Sequence, residues 1–76
     1  MSITLRRVDA EKHVSRFYRL DVQPDLFGQW SLLREWGRIG SPGTMFVQSF
    51  PTQDEADAAC ARLCRLKERK GYLTMP

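Results

Sequence analysis

The chain of 76 residues has little of what most enzymes need. It contains a single histidine, His13, in a charged segment, and no clear motif of a Ser-His-Asp triad surrounds it. No glycine-rich phosphate loop precedes a helix pattern. The acidic residues Asp54, Glu55 and Asp57 are better explained as the start of a helix than as an acid–base pair. We therefore predict a protein that is not an enzyme and that uses no cofactor.

Cysteine is equally scarce, and its spacing matches neither a disulfide framework nor a metal site. Cys60 and Cys64 lie about one helical turn apart in a predicted helix, which is not a C-x-x-C spacing. A metal would need further histidine, cysteine or acidic ligands at familiar spacings, and His13 is remote in sequence. We expect two reduced cysteines that pack in the core, and no metal.

Long apolar runs are also absent, which excludes a membrane-spanning helix of about 20 residues. The first residues carry charges, at Arg6, Arg7 and Asp9, and lack the apolar segment of a signal peptide. A net charge of +3 permits an anionic partner without requiring one. We expect a single small domain over residues 1–76, with its core at about 14–72, in the cytoplasm and away from membranes. The sequence leaves the oligomeric state open and favours a monomer.

Four segments alternate apolar and polar residues, as β-strands do. They are Ile3–Val8, Val14–Gln23, Gln29–Trp36 and Thr44–Phe50. We place the first at an edge of the sheet. In the second, Tyr18, Leu20 and Val22 share one face. In the third, both faces carry apolar residues, so the alternation does not tell which face is buried. The short connections predict an antiparallel meander.

A helix follows the last strand, from about Gln53 to Lys70. Thr52 is a typical N-cap with a glutamate three positions later, and Gly71 is a typical residue after a helix end. Small residues at helical spacing predict the face that packs on the sheet: Ala56, Ala59, Cys60 and Leu63, followed by Lys67. We expect Thr74–Pro76 to fray. The predicted fold is α+β: an antiparallel β-meander sheet of about four strands with one C-terminal α-helix packed on it.

The segment Trp36-Gly37-Arg38-Ile39-Gly40 combines an indole, a guanidinium and two glycines at a strand end. Further arginines lie on the same and the preceding strand: Arg16, Arg19 and Arg34. Arginine beside aromatic residues is typical of nucleic-acid binding, because the cation pairs with phosphate while the ring stacks on a base or packs on a sugar. Two other interpretations stay open on the residues alone. The arginines could simply solubilise an open sheet face, and Trp36 could pack in a small core.

This segment and its surroundings resemble the WGR domain family. Besides Arg34–Gly40, the family's pattern is matched by Phe17–Leu20, by Phe50 with Thr52–Ala56, and by Lys70–Tyr72, in the family's order. The resemblance covers roughly residues 14–72, most of the chain. It implies an antiparallel sheet with one helix packed against it, which agrees with the fold derived above.

The family also implies a function. WGR domains are known from DNA-dependent poly(ADP-ribose) polymerases, where they bind the end of a DNA break, and small stand-alone proteins with this domain are a bacterial arrangement. By resemblance, Trp36 would pack on a terminal nucleotide, and Arg38 would contact DNA or relay to a partner. Gly37 and Gly40 would shape the loop. The catalytic and zinc-finger domains of the polymerases are not in this sequence.

Two functions therefore stand side by side. The first is a non-catalytic nucleic-acid-binding domain that binds DNA ends or nicks through Trp36 and the neighbouring arginines, which would associate it with the nucleoid. The alternative is a protein-interaction module that docks a DNA repair or processing enzyme. Binding through several phosphates weakens steeply with salt, whereas a protein interface around Trp36 depends on salt much less.

Overall fold

The chain folds into one antiparallel sheet and one helix. The computed structural model describes residues 2–75. Along the chain the elements are β1 (Ser2–Asp9), β2 (Val14–Pro24), β3 (Trp30–Arg38), β4 (Thr44–Phe50), α1 (Gln53–Arg69) and β5 (Leu73–Thr74). The α+β class, the antiparallel sheet and the C-terminal helix predicted from the sequence are confirmed.

The strands lie in the order β4-β3-β2-β1-β5, and every neighbouring pair is antiparallel. The sheet has five strands rather than the expected four or so, because the segment after α1 returns to the sheet. There it pairs with Leu5 and Arg6 of β1. The prediction that the first strand forms an edge of the sheet is therefore wrong along this stretch, where the two-residue strand β5 covers it.

The C-terminal tail is held by the same strand. The amide of Met75 donates a hydrogen bond to the carbonyl of Thr4 at 2.7 Å. The prediction that the tail frays is wrong for Thr74, which belongs to β5, while Pro76 lies outside the described residues. The physical reason is that β1 offers unpaired backbone groups on its outer side, and such groups favour a further strand.

The core lies between α1 and one face of the sheet. The predicted inner face of β2 is buried, which confirms the grouping of Tyr18, Leu20 and Val22. In β3 the buried face is the one that carries Leu32, which the sequence pattern left open. Ala56 and Cys60 of α1 cover this face and are 0% exposed. The long apolar side chains of the sheet thus meet small residues of the helix, which lets the helix approach closely.

Both ends of α1 follow the sequence signals. The hydroxyl of Thr52 accepts a hydrogen bond from the amide of Glu55 at 3.2 Å, which satisfies one free N–H of the first turn. After the helix, Gly71 adopts φ 93°, and its amide donates to the carbonyl of Glu68 at 3.0 Å. Leu63 is half-buried and packs against the core, so the predicted sheet-facing stripe is confirmed.

The turn between β2 and β3 is hydrogen-bonded and exposes two apolar side chains. The carboxylate of Asp25 accepts hydrogen bonds from the amides of Phe27 and Gln29, both at 2.8 Å. Leu26 and Phe27 nevertheless lie in solvent, with 96% and 89% of their surface exposed. This turn marks one end of the sheet. The Trp-Gly-Arg segment lies at the other end, beside the β1–β2 and β3–β4 turns.

Candidate nucleic-acid interface

An open depression of about 460 Å³ lies at the end of the sheet where β3 finishes, between the sheet and the last turns of α1. Its lining combines cations and aromatic rings. The residues are Arg16, Tyr18, Trp36, Gly37, Arg38, Lys67 and Tyr72. We call this the Trp36 pocket. Four of the seven were candidates from the sequence, and three were not.

The floor of the Trp36 pocket is aromatic and firmly held. The ring of Tyr18 stacks on Trp36 with centroids 5.9 Å apart and an interplanar angle of 15°. Tyr72 meets Tyr18 edge-on at 6.5 Å. Tyr18 and Tyr72 are buried in the core, while Trp36 is half-buried and packs against it. Trp36 is therefore both part of the packing and part of the pocket surface.

Two arginines stand at the rim. Arg16 of β2 and Arg38 of β3 are direct cross-strand partners, and both are exposed. Like charges placed directly opposite each other in a sheet repel. Within the described part of the chain, neither guanidinium takes part in an ion pair. An anion bound between them would relieve this repulsion.

The helix contributes a third cation. The ammonium of Lys67 lies 4.5 Å from the ring centre of Tyr18 and 5.6 Å from that of Tyr72, within the range of cation–π contacts. Burial lowers the pKa of Lys67 below the ordinary lysine value, and the nearby charges of Lys70 and Arg34 lower it further. A bound phosphate would supply the missing counter-charge.

Arg34 supports the pocket from beneath. Its Nε donates a hydrogen bond to the hydroxyl of Tyr18 at 3.0 Å. Its guanidinium lies 5.7 Å from the ring centre of Trp36 and 5.5 Å from that of Phe46. Arg34 thus fixes the rings of the floor, and it does not belong to the pocket lining.

Arg34 and Gly40 lie outside the lining of the pocket, and Arg19 lies on the other face of the sheet. Arg19 follows Tyr18 in β2, so its side chain projects from the opposite face of the sheet. There its Nε contacts the carboxylate of Glu35 at 3.3 Å, and a second guanidinium nitrogen lies 3.9 Å from that of Asp21. Arg19 was predicted to join the other arginines because they lie on neighbouring strands. Side chains alternate between the two faces along a strand, however, and this alternation places Arg19 on the other face.

The glycines have backbone explanations of their own. A Cβ on Gly37 would lie 3.1 Å from the Cα of Gly43 and 3.5 Å from the ring of Phe17. At Gly43 the space is tighter, with a Cβ only 2.7 Å from the carbonyl oxygen of Trp36. Gly40 adopts φ 90° in the turn, a conformation that favours glycine. The backbone at Gly37 and the backbone at Gly43 therefore approach closely beside the ring of Phe17, which lies on the face of the sheet away from the Trp36 pocket.

The cysteines lie outside the pocket. Both are free thiols, with Cys60 fully buried and Cys64 half-buried. Burial raises the pKa of both thiols, and at Cys64 a hydrogen bond to Glu68 raises it further. Among residues 2–75 no group of three or more histidine, cysteine or acidic side chains is placed to hold a metal ion. In the same range, no helix has the length and apolar character to cross a bilayer.

Sequence reasoning missed three members of the pocket: Tyr18, Lys67 and Tyr72. Tyr18 and Tyr72 are buried, so the sequence pattern around them indicates core positions and gives no sign of a binding surface. Lys67 carried a usable signal, because a cation that continues an apolar helix stripe has its charge beside the core. Such a lysine either reaches past the core to solvent or meets a specific partner.

The fold and the pocket together define a class: a small α+β binding domain with a cation-rimmed aromatic pocket at one end of its sheet. Comparison with known proteins places it more closely. The model of the WGR domain family matches residues 1–75, so the chain belongs to this family, as its sequence motifs indicate.

One curated relative has no established role. The chain is 38% identical over 72 residues to the uncharacterized protein y4dW of Sinorhizobium fredii (strain NBRC 101917 / NGR234). The alignment covers 95% of this chain and 35% of the relative, so the chain spans about a third of the length of the curated relative that it matches.

Proposed function

We propose that this WGR domain is a non-catalytic nucleic-acid-binding domain that binds DNA at ends or nicks through the Trp36 pocket. The observation that carries the proposal is the convergence of three cations on three aromatic rings at one end of the sheet. We further propose a cytoplasmic setting, in association with the nucleoid, and a DNA repair or processing protein as a further partner.

The charges of the pocket suit a phosphate backbone. Arg16 and Arg38 present two exposed guanidinium groups side by side, and guanidinium binds phosphate through paired hydrogen bonds. Lys67 adds a point charge from the helix side. Contacts of this kind position nucleic acid without reading its sequence. We therefore expect binding with little sequence preference.

A preference for ends or nicks follows from the floor of the pocket. Tyr18 stacks on one face of the half-buried Trp36 indole, so only the remaining exposed part of this ring can meet a nucleotide. A base pair inside an intact duplex is stacked on both faces and has no free side to offer. A terminal or nicked nucleotide has one free side of its base or sugar, which can pack on Trp36.

Within the described part of the chain, the lining of the Trp36 pocket includes no histidine, cysteine or carboxylate. Its titratable side chains are two arginines, one lysine and two tyrosines. This composition supports binding rather than catalysis.

The alternative function, docking of a DNA-processing protein, is favoured by a different feature. Leu26 and Phe27 are held in solvent by a turn whose conformation Asp25 fixes. Two adjacent exposed apolar residues in a hydrogen-bonded turn offer a surface for a protein contact. This turn lies at the end of the sheet opposite the Trp36 pocket. One domain can therefore carry both a nucleic-acid site and a protein site.

Titration with three DNA substrates tests the proposal. Nicked, blunt-ended and closed circular duplexes of the same sequence are compared over a series of salt concentrations. We expect tighter binding to the nicked and blunt forms, and a decrease in affinity with salt that corresponds to several phosphate contacts. Absence of binding at low salt would refute the nucleic-acid function. Equal binding to all three forms would refute the preference for ends and nicks.

A further inference from the structure

Strand β4 differs from the other long strands in that it carries no charge. Its seven residues are Thr44, Met45, Phe46, Val47, Gln48, Ser49 and Phe50, without proline and without a charged side chain. The other three long strands each carry both positive and negative residues. In a chain with 28% charged residues, a neutral strand of this length is unusual.

This neutral strand is also the open edge of the sheet. Within the described residues β4 pairs with β3 alone, so its outer row of backbone N–H and C=O groups has no strand beside it. Met45, Phe46 and Val47 expose 52%, 51% and 52% of their surface, on both faces of the sheet. Native proteins usually protect such an edge with charges, proline or a bulge. The open part of β1 follows that rule, since it carries Arg7 and Asp9.

We propose that two copies of this chain join through β4 in an antiparallel pair. A twofold axis at Val47 would join the two five-stranded sheets into one continuous sheet, with both helices on the same side. In this register Met45 faces Ser49 of the second copy, and Phe46 faces Gln48. Each large side chain meets a smaller or more flexible one, and no like charges meet. This dimer replaces the monomer expected from the sequence alone.

Charge favours a second copy over an unrelated strand. In the register above, every residue of β4 meets a neutral residue of the second copy, so no charged side chain is placed in the contact. The helix adds a second argument: its first turn is acidic, with Asp54 and Glu55, and its last turn is basic, with Lys67 and Arg69. The twofold axis sets the two helices antiparallel, so the acidic start of each points in the direction of the basic end of the other. This orientation therefore does not place helix ends of like charge side by side.

The size of the contact sets the strength of the dimer. A single pair of seven-residue strands with half-exposed side chains lies at the low end of specific interfaces, below about 1,200 Å² in total. We therefore expect association that depends on protein concentration, rather than a permanent dimer.

Sedimentation equilibrium without nucleic acid tests the dimer, over concentrations from micromolar to millimolar. The apparent mass should rise from 8.8 kDa towards twice that value. The test variant is Val47→Lys, which places two like charges at the twofold axis. The matched control is Val8→Lys, because Val8 is also an exposed strand valine, 69% exposed on β1. Val47→Lys should stay monomeric at every concentration, and Val8→Lys should associate like the parent.

A parent chain that stays monomeric throughout would overturn the proposal, as would equal loss of association in the two lysine variants. Cross-linking gives an independent readout. In a chain with Cys64→Ser, oxidation should link Val47→Cys into a disulfide dimer faster than it links Val8→Cys, by at least tenfold. Equal rates for the two cysteine variants would also overturn it. Thermal melting of each variant verifies that it is folded.

Discussion

Replacing Trp36 with alanine separates the two roles that the structure gives to this indole. Trp36 packs against the core and stacks on Tyr18, so its removal should destabilise the fold. It also lines the pocket, so its removal should weaken binding to nicked duplex DNA. A residue with one role only would change one of the two quantities.

The magnitudes follow from the position of the ring. Truncating a fully buried tryptophan costs about 3–5 kcal/mol, and Trp36 is only half-buried, so we expect a loss of about 2 kcal/mol in the free energy of unfolding. About 0.5–1.5 kcal/mol of this is the stacking contact with Tyr18. Loss of stacking on a nucleotide should cost a further ~1–3 kcal/mol of binding free energy.

The assay pairs urea unfolding with a titration, and Trp30→Ala is the matched control. Trp30 is also half-buried and packed against the core, but it lies at the far end of β3, opposite Phe50. Trp30→Ala should lose stability and keep its affinity for DNA. If Trp36→Ala melts far lower but binds like the parent, the indole is purely structural, and the reasoning that connects it to DNA is refuted.

Two further predictions concern the backbone and the helix. Gly43→Ala should destabilise the fold by about 1–3 kcal/mol in urea unfolding, because the new Cβ would lie 2.7 Å from the carbonyl oxygen of Trp36 and 2.8 Å from the ring of Phe17; unchanged stability would contradict this. The second concerns Lys67, whose pKa is lowered in the folded chain. In the unfolded chain, Lys67 binds its proton more tightly than in the folded chain. The contribution of Lys67 to the free energy of unfolding should therefore rise with pH between the lowered pKa and the ordinary value of about 10.4. DNA binding should fall over the same window as the charge is lost, and Lys67→Met should remove both dependences; an unchanged pH profile in this variant would refute the assignment.

The sequence predicted the main elements because local signals determine them. The alternation of Tyr18, Leu20 and Val22, the N-cap at Thr52 and the glycine at position 71 each depend on near neighbours. Strand β5, which pairs with β1, was missed because a segment of two residues shows no periodicity. Its place is decided by the open backbone of β1, which is a property of the assembled sheet.

The candidate site was predicted only in part, because local signals reveal some of its residues and the assembled fold brings in the others. Trp36 and Arg38 stand out as a motif, and Arg16 joins them through the register of β2 and β3. Lys67 comes to the pocket from the other layer of the fold, so strand patterns could not reveal it. Arg19 was grouped with the others by strand proximity, although its side chain lies on the opposite face, with Glu35 and Asp21.

The most direct test of the central claim compares two arginines that lie on neighbouring strands but on different faces of the sheet. Arg38→Ala and Arg19→Ala remove the same charge from neighbouring strands, and only Arg38 lines the Trp36 pocket. The affinity of each variant for nicked duplex is measured over a salt series. We predict that Arg38→Ala binds more weakly and that its salt slope falls by about 1, while Arg19→Ala binds like the parent. Equal losses in both variants, or none in Arg38→Ala, would contradict binding through the Trp36 pocket.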